Sequence, residues 1–247
     1  MSSAYFQEYA IRQAFQPGGV SQWSIGKAAH RVMTTGKDET GLGRWAWTRY
    51  QGSQNITLRV ITAYRPVANK KGPLSVWNQQ KTFFDKTNRE GNPRDLFTID
   101  LLSDIRTWKE CGDQIVLMLD VNDDVRNCDF STQMLTIGLE ETITSQHGDM
   151  GPSTYERGTR PIDGIYVSPT LRGLRCGYLD FTFDHRALWM DIPVETAFGH
   201  SIPQTVARRA RRLKCNDPRI VAKYLDLLIQ HLDRHNMFQT VNELFET

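Results

Sequence analysis

A chain of 247 residues, 39% hydrophobic and 23% charged, can bury one sizeable core or two small ones, and nothing in its composition marks it as disordered. A formal charge of +2 excludes an overtly polybasic nucleic-acid binder, and the longest apolar run, residues 115–119, is far short of a membrane span. Cys111, Cys128, Cys176 and Cys215 show neither C-x-x-C pairing nor histidines at zinc-ligand spacing, and the N-terminal MSSAYFQEYAIRQ is too polar for a signal peptide; the expectation is an intracellular protein, nuclear or cytoplasmic, with no membrane partner.

Tyr5, Phe6, Tyr9, Ile11 and Phe15 suggest a packed helix or an irregular segment at the N-terminus. Residues 44–50 (RWAWTRY) and 56–64 (ITLRVITAY) are rich in aromatic and β-branched side chains, with Gly52 and Asn55 between them, and predict a β-hairpin. Beyond Pro66, Val76, Phe83 and Phe84 are spaced for a helix. Asn92-Pro93 reads as an N-cap with proline in the first turn of a second helix, which carries the stripe Leu96, Ile99, Leu102, Ile105 and Trp108 and stops at Gly112. Residues 115–119 are apolar without alternation, as in a strand covered on both faces, and deliver Asp120 to its end. Further strands are expected over 162–167 and 187–192, so helices, a hairpin and buried strands together predict a mixed α/β sheet.

Residues 193–216 hold Pro193, Gly199, Pro203 and the basic residues Arg208, Arg209, Arg211, Arg212 and Lys214, and read as a linker. Residues 201–247 carry eight Lys/Arg against five Asp/Glu. That bias could attract a polyanion, serve as a nuclear address, or simply be a solvated basic linker. Asp217-Pro218 opens a helix with Val221, Tyr224, Leu225, Leu228 and Leu232 on one face, and Thr240 with Glu243 could cap a short final helix. The expected organisation is a main domain over 1–195, a basic linker over 196–216 and a helical segment over 217–247.

Four polar clusters adjoin the apolar strands: Tyr64-Arg65, Asp120-Val121-Asn122, Asp163, and Asp184-His185. Strand ends in a layered α/β fold emerge onto a rim where clusters distant in sequence can meet. Two or more carboxylates there could hold a hard divalent cation such as Mg2+, with a histidine to stabilise phosphoryl charge. Each cluster also has a structural reading. Residues 120–124 could be a polar turn, Asp184-His185 a buried pair, and Asp163 a turn cap. Asp120, Asn122 and Asp124 have the spacing that begins a calcium loop, but Val125 and Ser131 stand where that loop needs glycine and glutamate.

Thr62-Ala63-Tyr64-Arg65-Pro66 resembles the strand-end tyrosine motif of the endonuclease/exonuclease/phosphatase superfamily. Leu119-Asp120-Val121-Asn122 resembles its G-D-x-N signature, Arg160-Pro161-Ile162-Asp163-Gly164-Ile165 its R-x-D-x-I, and Phe183-Asp184-His185-Arg186 its S-D-H, all in family order. The resemblance implies a two-sheet α/β sandwich and Mg2+ (or Mn2+) as cofactor. It implies that Asp120 orients or deprotonates water, Asn122 holds that water or the phosphate, Asp184 is the metal ligand, His185 contacts the scissile phosphate, Asp163 orients His185, and Tyr64 hydrogen-bonds the phosphate or leaving group. Arg65 and Arg160 are candidates for phosphate contacts or, equally, for salt bridges.

Within that superfamily, QPGGV (16–20), GLGRWAW (41–47), ITAYRPV (61–67) and RRLKCNDPRIVAKY (211–224) resemble endonuclease domains of retroelement polyproteins that lead toward a reverse transcriptase. DNA is then the implied partner, and no protein partner is deducible. The family also carries a metal-binding glutamate in strands ahead of the segment that QPGGV resembles. Only fifteen residues precede Gln16, so the sandwich is expected to lack its first strands, and neither Glu8 nor the loop residue Glu39 suits the missing ligand. Leu119 and Phe183 replace small residues of the motifs. The functions this leaves open are a metal-dependent DNA endonuclease, an inactive retroelement remnant that at most binds nucleic acid, and a phosphatase of small phosphorylated molecules.

Overall fold

The computed structural model describes residues 2–5, 19–68, 72, 74–181, 183–199 and 216–239. Strand β1 (Ser2–Tyr5) pairs antiparallel with β2 (Val20–Trp23), so Tyr5 lies in a strand rather than in the helix or irregular segment expected from its aromatic neighbours. Its partner is distant in sequence, and local spacing carries no record of such pairing. Phe6, Glu8, Tyr9, Ile11, Phe15 and the first three residues of QPGGV fall outside the described residues.

After α1 (Gly26–Ala29) and β3 (Val32–Lys37) come β4 (Trp45–Gln51) and β5 (Thr57–Tyr64), the expected hairpin, paired antiparallel from Trp45 with Ala63 to Gln51 with Thr57. Its turn places Gln54 and Asn55 at φ 52° and 62°, the left-handed region that asparagine tolerates better than most residues. Helix α2 (Val76–Lys86) follows, capped by the Ser75 side chain, and then α3 (Pro93–Glu110). The cap of α3 is as expected: Asn92 accepts from the backbone N–H of Arg94, and Gly112 past its end has φ 86°. Its stripe is not. Leu96, Leu102 and Ile105 are buried, but Ile99 is 56% exposed, and Phe97, Thr98 and Leu101 complete the inward face. Three residues advance a helix by only about 300°, so a stripe spaced by three winds away from the core.

Strand β6 (Asp113–Asp120) is followed by α4 (Asp129–Thr136), the two-residue β7 (Glu140–Glu141), α5 (Thr142–His147), β8 (Asp163–Val167), β9 (Cys176–Phe181), β10 (Arg186–Met190) and α6 (Val194–Phe198). Six strands form one sheet in the order β3-β4-β5-β6-β8-β7, in which β5 and β6 are parallel and the other neighbours antiparallel. Strands β9 and β10 form a separate antiparallel pair. The fold is therefore a mixed α/β architecture with a six-stranded sheet and smaller two-stranded sheets.

Register decides which way each side chain faces, because paired residues share a face and neighbours along a strand alternate. Ile61 pairs with Leu117, and Leu117 with Tyr166; all three lie in the larger core with Phe97, Leu101 and Ile105 of α3 and Phe130 and Met134 of α4. Full burial of each such side chain contributes about 1.5–3 kcal/mol. Val116 pairs with Val167 in a second core, shared with Ile143 of α5, Cys176 of β9 and Ala197 of α6, with Leu188 and Met190 of β10 packed against it. Helices α3 and α4 cover one face of the main sheet. The β9–β10 pair, with α5 and α6, covers the other.

The stretch read as a linker begins with α6, whose Phe198 carbonyl accepts the backbone N–H of Ser53 at 2.7 Å. Residues 200–215 lie outside the described residues. The chain divides into two compact units, Met1–Ser201 and Ile202–Thr247. The second contains α7 (Pro218–Arg234), capped by Asp217 as expected, with Tyr224, Leu225, Leu227 and Ile229 about half exposed. Thr240 and Glu243 fall outside the described residues.

Candidate active site

Parallel β5 and β6 deliver their C-terminal residues to one edge of the sheet, and antiparallel β8 begins there. Tyr64 pairs with Asp120 and Asp120 with Asp163, which makes a row of three candidate side chains across three strands. Asp120 has the same strand parity as Val116, so the row faces the β9–β10 layer. His185 immediately precedes β10 on that layer.

A segment that the sequence did not single out joins the two layers. Tyr155 and His185 form an isolated antiparallel bridge, the Arg186 N–H donates to the Thr154 carbonyl at 2.7 Å, and the Glu156 N–H donates to the Asp184 carbonyl at 2.8 Å. Thr154 is buried, and its Oγ1 accepts the backbone N–H groups of Ile162 and Asp163 at 2.8 and 3.1 Å. One threonine thereby ties the start of β8 to the start of β10. The Tyr155 ring lies 5.2 Å from the His185 ring.

The result is a close cluster. His185 Nδ1 lies 2.8 Å from Asp163 Oδ2, and Asp120, Asp163 and His185 each offer a ligand atom within 4.8 Å of the others. Burial and the neighbouring charge of Asp163 push the Asp120 carboxyl up to about 7. Burial disfavours the charged form of His185, but the hydrogen bond and charge of Asp163, joined by Asp120 and Asp184, outweigh it and hold the imidazole above its ordinary value. Tyr64 is raised by burial and then by Asp120, so its phenol stays protonated and able to donate.

No family model matches the chain. No curated protein matches it either. Among solved structures it is similar to the 3′ phosphatase NExo from Neisseria bound to product DNA hairpin, at 15% identity and a TM-score of 0.48, over 66% of this chain and 71% of that one. It is also similar to the Xenopus laevis APE2 catalytic domain, at 17% identity and 0.43, over 61% and 56%, and to the human Nocturnin catalytic domain with bound sulfate anion, at 10% identity and 0.39, over 67% and 54%.

The other sequence candidates are distributed around this cluster. Asn122 adopts φ 52°, its N–H donates to Asp120 Oδ1 at 2.9 Å, and its Nδ2 donates to the Arg65 carbonyl at 2.7 Å. Asp184 is exposed beside His185, and its carboxylate is not in the three-residue group. Arg65 is buried, with its guanidinium 5.6 Å from the centre of the Phe130 ring and 3.8 Å from Asp123. Arg160 is exposed. Asp124 turns to Arg126 in a two-point ion pair at 2.6 and 2.8 Å, away from a calcium-loop arrangement with Asp120 and Asn122.

Besides Thr154 and Tyr155, sequence reasoning passed over Arg94. It is buried, and it donates to the Pro66 carbonyl at 2.7 Å, the Asn122 carbonyl at 3.3 Å and Asp123 Oδ2 at 3.1 Å. A signal was present, because a cation in the first turn of a helix opposes the helix dipole and calls for a reason. Thr154 gives no such signal.

Proposed function

We propose that the protein hydrolyses phosphodiester bonds in a metal-dependent reaction and acts as an endonuclease on DNA. The observation that carries this reading is the convergence of Asp120, Asp163 and His185 within 4.8 Å. The donor set fits a hard divalent cation, Mg2+ or Mn2+, because two crowded carboxylates, one of them pushed up to about 7, hold more negative charge than the site can keep unpaired. Asp120 and Asp163 would hold the ion, with exposed Asp184 the further ligand implied by family resemblance. When bound, the cation supplies Lewis-acid polarisation of a phosphoryl oxygen.

The side chains divide the remaining work. Asp163 grips Nδ1 of His185, which orients the ring and leaves Nε2 to donate to a phosphate oxygen. Asp120 orients or deprotonates the attacking water, and Asn122 holds that water or the phosphate. Tyr64, kept protonated, donates to the phosphate or leaving group. Arg160 is free of a described ion pair and suits a contact to substrate phosphate, whereas the burial of Arg65 favours the structural half of its two readings. The ordered motifs and the retroelement-like segments support DNA over a small phosphorylated molecule.

The test is nicking of supercoiled plasmid with Mg2+ or Mn2+. Asp163→Asn is expected to lower the rate about 100-fold, since a misplacement of ~1 Å costs that much, and Asp184→Ala to lower it as well. No nicking by the wild type, or nicking unchanged in both variants, ends this reading. One observation favours a second: Asp184 stands outside the cluster, so among the described residues two carboxylates converge. On that reading the chain binds nucleic acid through its basic segment without turnover, and affinity that falls with salt while no product forms would support it.

A further inference from the structure

Two chain ends carry most of the proposed site: residues 64–66 leaving β5 and residues 120–123 leaving β6. Adjacent parallel strands align these ends; their register ends at Tyr64 and Asp120, one further backbone bond runs from the Arg65 N–H to the Asp120 carbonyl at 3.0 Å, and the turn at 121–123 lies beyond it. Asn122 is the critical residue of that turn. Its backbone is left-handed, at φ 52°, a conformation that asparagine tolerates better than most residues.

Three groups hold it in place. The Asp120 carboxylate accepts the Asn122 N–H at 2.9 Å, the Arg65 carbonyl accepts its side-chain amide at 2.7 Å, and Arg94 donates to its carbonyl at 3.3 Å. The Asn122 amide joins the two chain ends directly, and Arg94 holds both of them from a third element, α3. The same Nη1 donates to the Pro66 carbonyl at 2.7 Å, while Nη2 reaches the carboxylate of Asp123 at 3.1 Å. Arg94 is itself set in place from below: Asn92 caps its N–H at 3.0 Å, and Thr98 Oγ1 donates to its carbonyl at 2.9 Å. The guanidinium is buried in the first turn of α3, where both desolvation and the helix dipole oppose a cation. A residue kept against two local penalties, with its donors spent on two loops of one site, is better explained by the site than by α3.

We propose that Arg94 is a positioning residue: its planar fork locks the ends of β5 and β6 together and sets Asn122 relative to Asp120 and Tyr64. The inference rests on the hydrolytic reading for its catalytic consequence, while the locking itself is measurable without turnover. Lysine cannot replace it, because a single ammonium lacks the fixed geometry that spans carbonyl, carbonyl and carboxylate at once.

The experiment compares Arg94→Met and Arg94→Lys with Ile105→Val, a change in the buried face of the same helix chosen to lower stability without touching either loop. Hydrogen exchange of the metal-free proteins is expected to rise about tenfold or more over 64–68 and 120–126 in Arg94→Met, with β4 and the C-terminal half of α3 unchanged. In plasmid nicking, kcat is expected to fall about 100-fold with KM within about threefold, and Arg94→Lys to recover melting temperature more completely than kcat. Exchange that rises uniformly or not at all overturns the proposal, as does an equal loss of kcat in Ile105→Val. If the wild type cleaves nothing with either metal, the hydrolytic reading fails, and the exchange pattern alone decides whether Arg94 is the lock.

Discussion

Asp120 and Asp163 are brought together by one strand register, and His185 meets them from the β9–β10 layer. Paired strands place two carboxylates on the same face, and burial with the charge of Asp163 disfavours the ionised form of Asp120; His185 donates to Asp163, and its own proton becomes harder to remove. A second raised carboxyl lies elsewhere, at Asp104 of α3, which accepts the Trp45 indole N–H at 3.2 Å. Burial, with the nearby charges of Glu39, Asp38 and Asp100, pushes it up to about 6 from an ordinary 3.8. Because the folded state holds this proton more tightly than the unfolded chain, the linkage costs nothing below about pH 4, and stability is lost as pH rises toward 6. Asp104→Asn keeps the acceptor for Trp45 and removes the charge. Its unfolding free energy from urea titration at pH 7 is expected to exceed that of the wild type by on the order of 1 kcal/mol, a discounted fraction of the shift, with the difference vanishing near pH 4. A variant less stable than wild type at pH 7 contradicts this account of Asp104.

At the scale of the element, α3 separates what local sequence encodes from what packing decides. Its cap, its proline and its glycine stop follow from local backbone chemistry and are legible in the sequence; its buried face depends on where the main sheet lies. Ile99 and Leu101 make the difference measurable. Leu101 is fully buried against the larger core, so Leu101→Ala should cost about 2–5 kcal/mol, whereas Ile99→Ser, at an exposed position, should change stability by about 0.5 kcal/mol or less. Urea unfolding decides it, and equal effects would mean that the helix is rotated relative to this structure. The hairpin of β4 and β5, the buried strand β6 and the capped helix α7 were legible for the same reason as the ends of α3, since turn residues, apolar runs and caps are local signals. Strand β1 was not, because its partner is β2, and neither was β9, whose pairing with β10 is likewise a tertiary fact. The site divides the same way. Tyr64, Asp120, Asp163 and His185 stand in recognisable local motifs, but the contacts of Arg94 and Thr154 are with segments remote in sequence.

For the whole unit from residue 1 to 201, the decisive joint is the one between the main sheet and the β9–β10 layer, since the proposed site takes Tyr64, Asp120 and Asp163 from one and His185 from the other. Apolar packing at the second core brings the layers together but is non-directional, and it cannot fix a 2.8 Å contact between Asp163 and His185. Hydrogen bonds through Thr154 can. Its Oγ1 holds two N–H groups at the start of β8, and its carbonyl holds one at the start of β10. Thr154→Val is nearly the same shape without the acceptor, so the Ile162 and Asp163 N–H groups lose their partner at a cost of about 1–3 kcal/mol. Thr154→Ser retains the acceptor and should melt close to wild type. If the joint sets the site, plasmid nicking by Thr154→Val falls by about tenfold or more, beyond what its unfolded fraction explains at a temperature where it remains folded, while Thr154→Ser keeps most of the rate. Nicking that tracks only the folded fraction would instead assign Thr154 to stability and leave the alignment of His185 to packing alone.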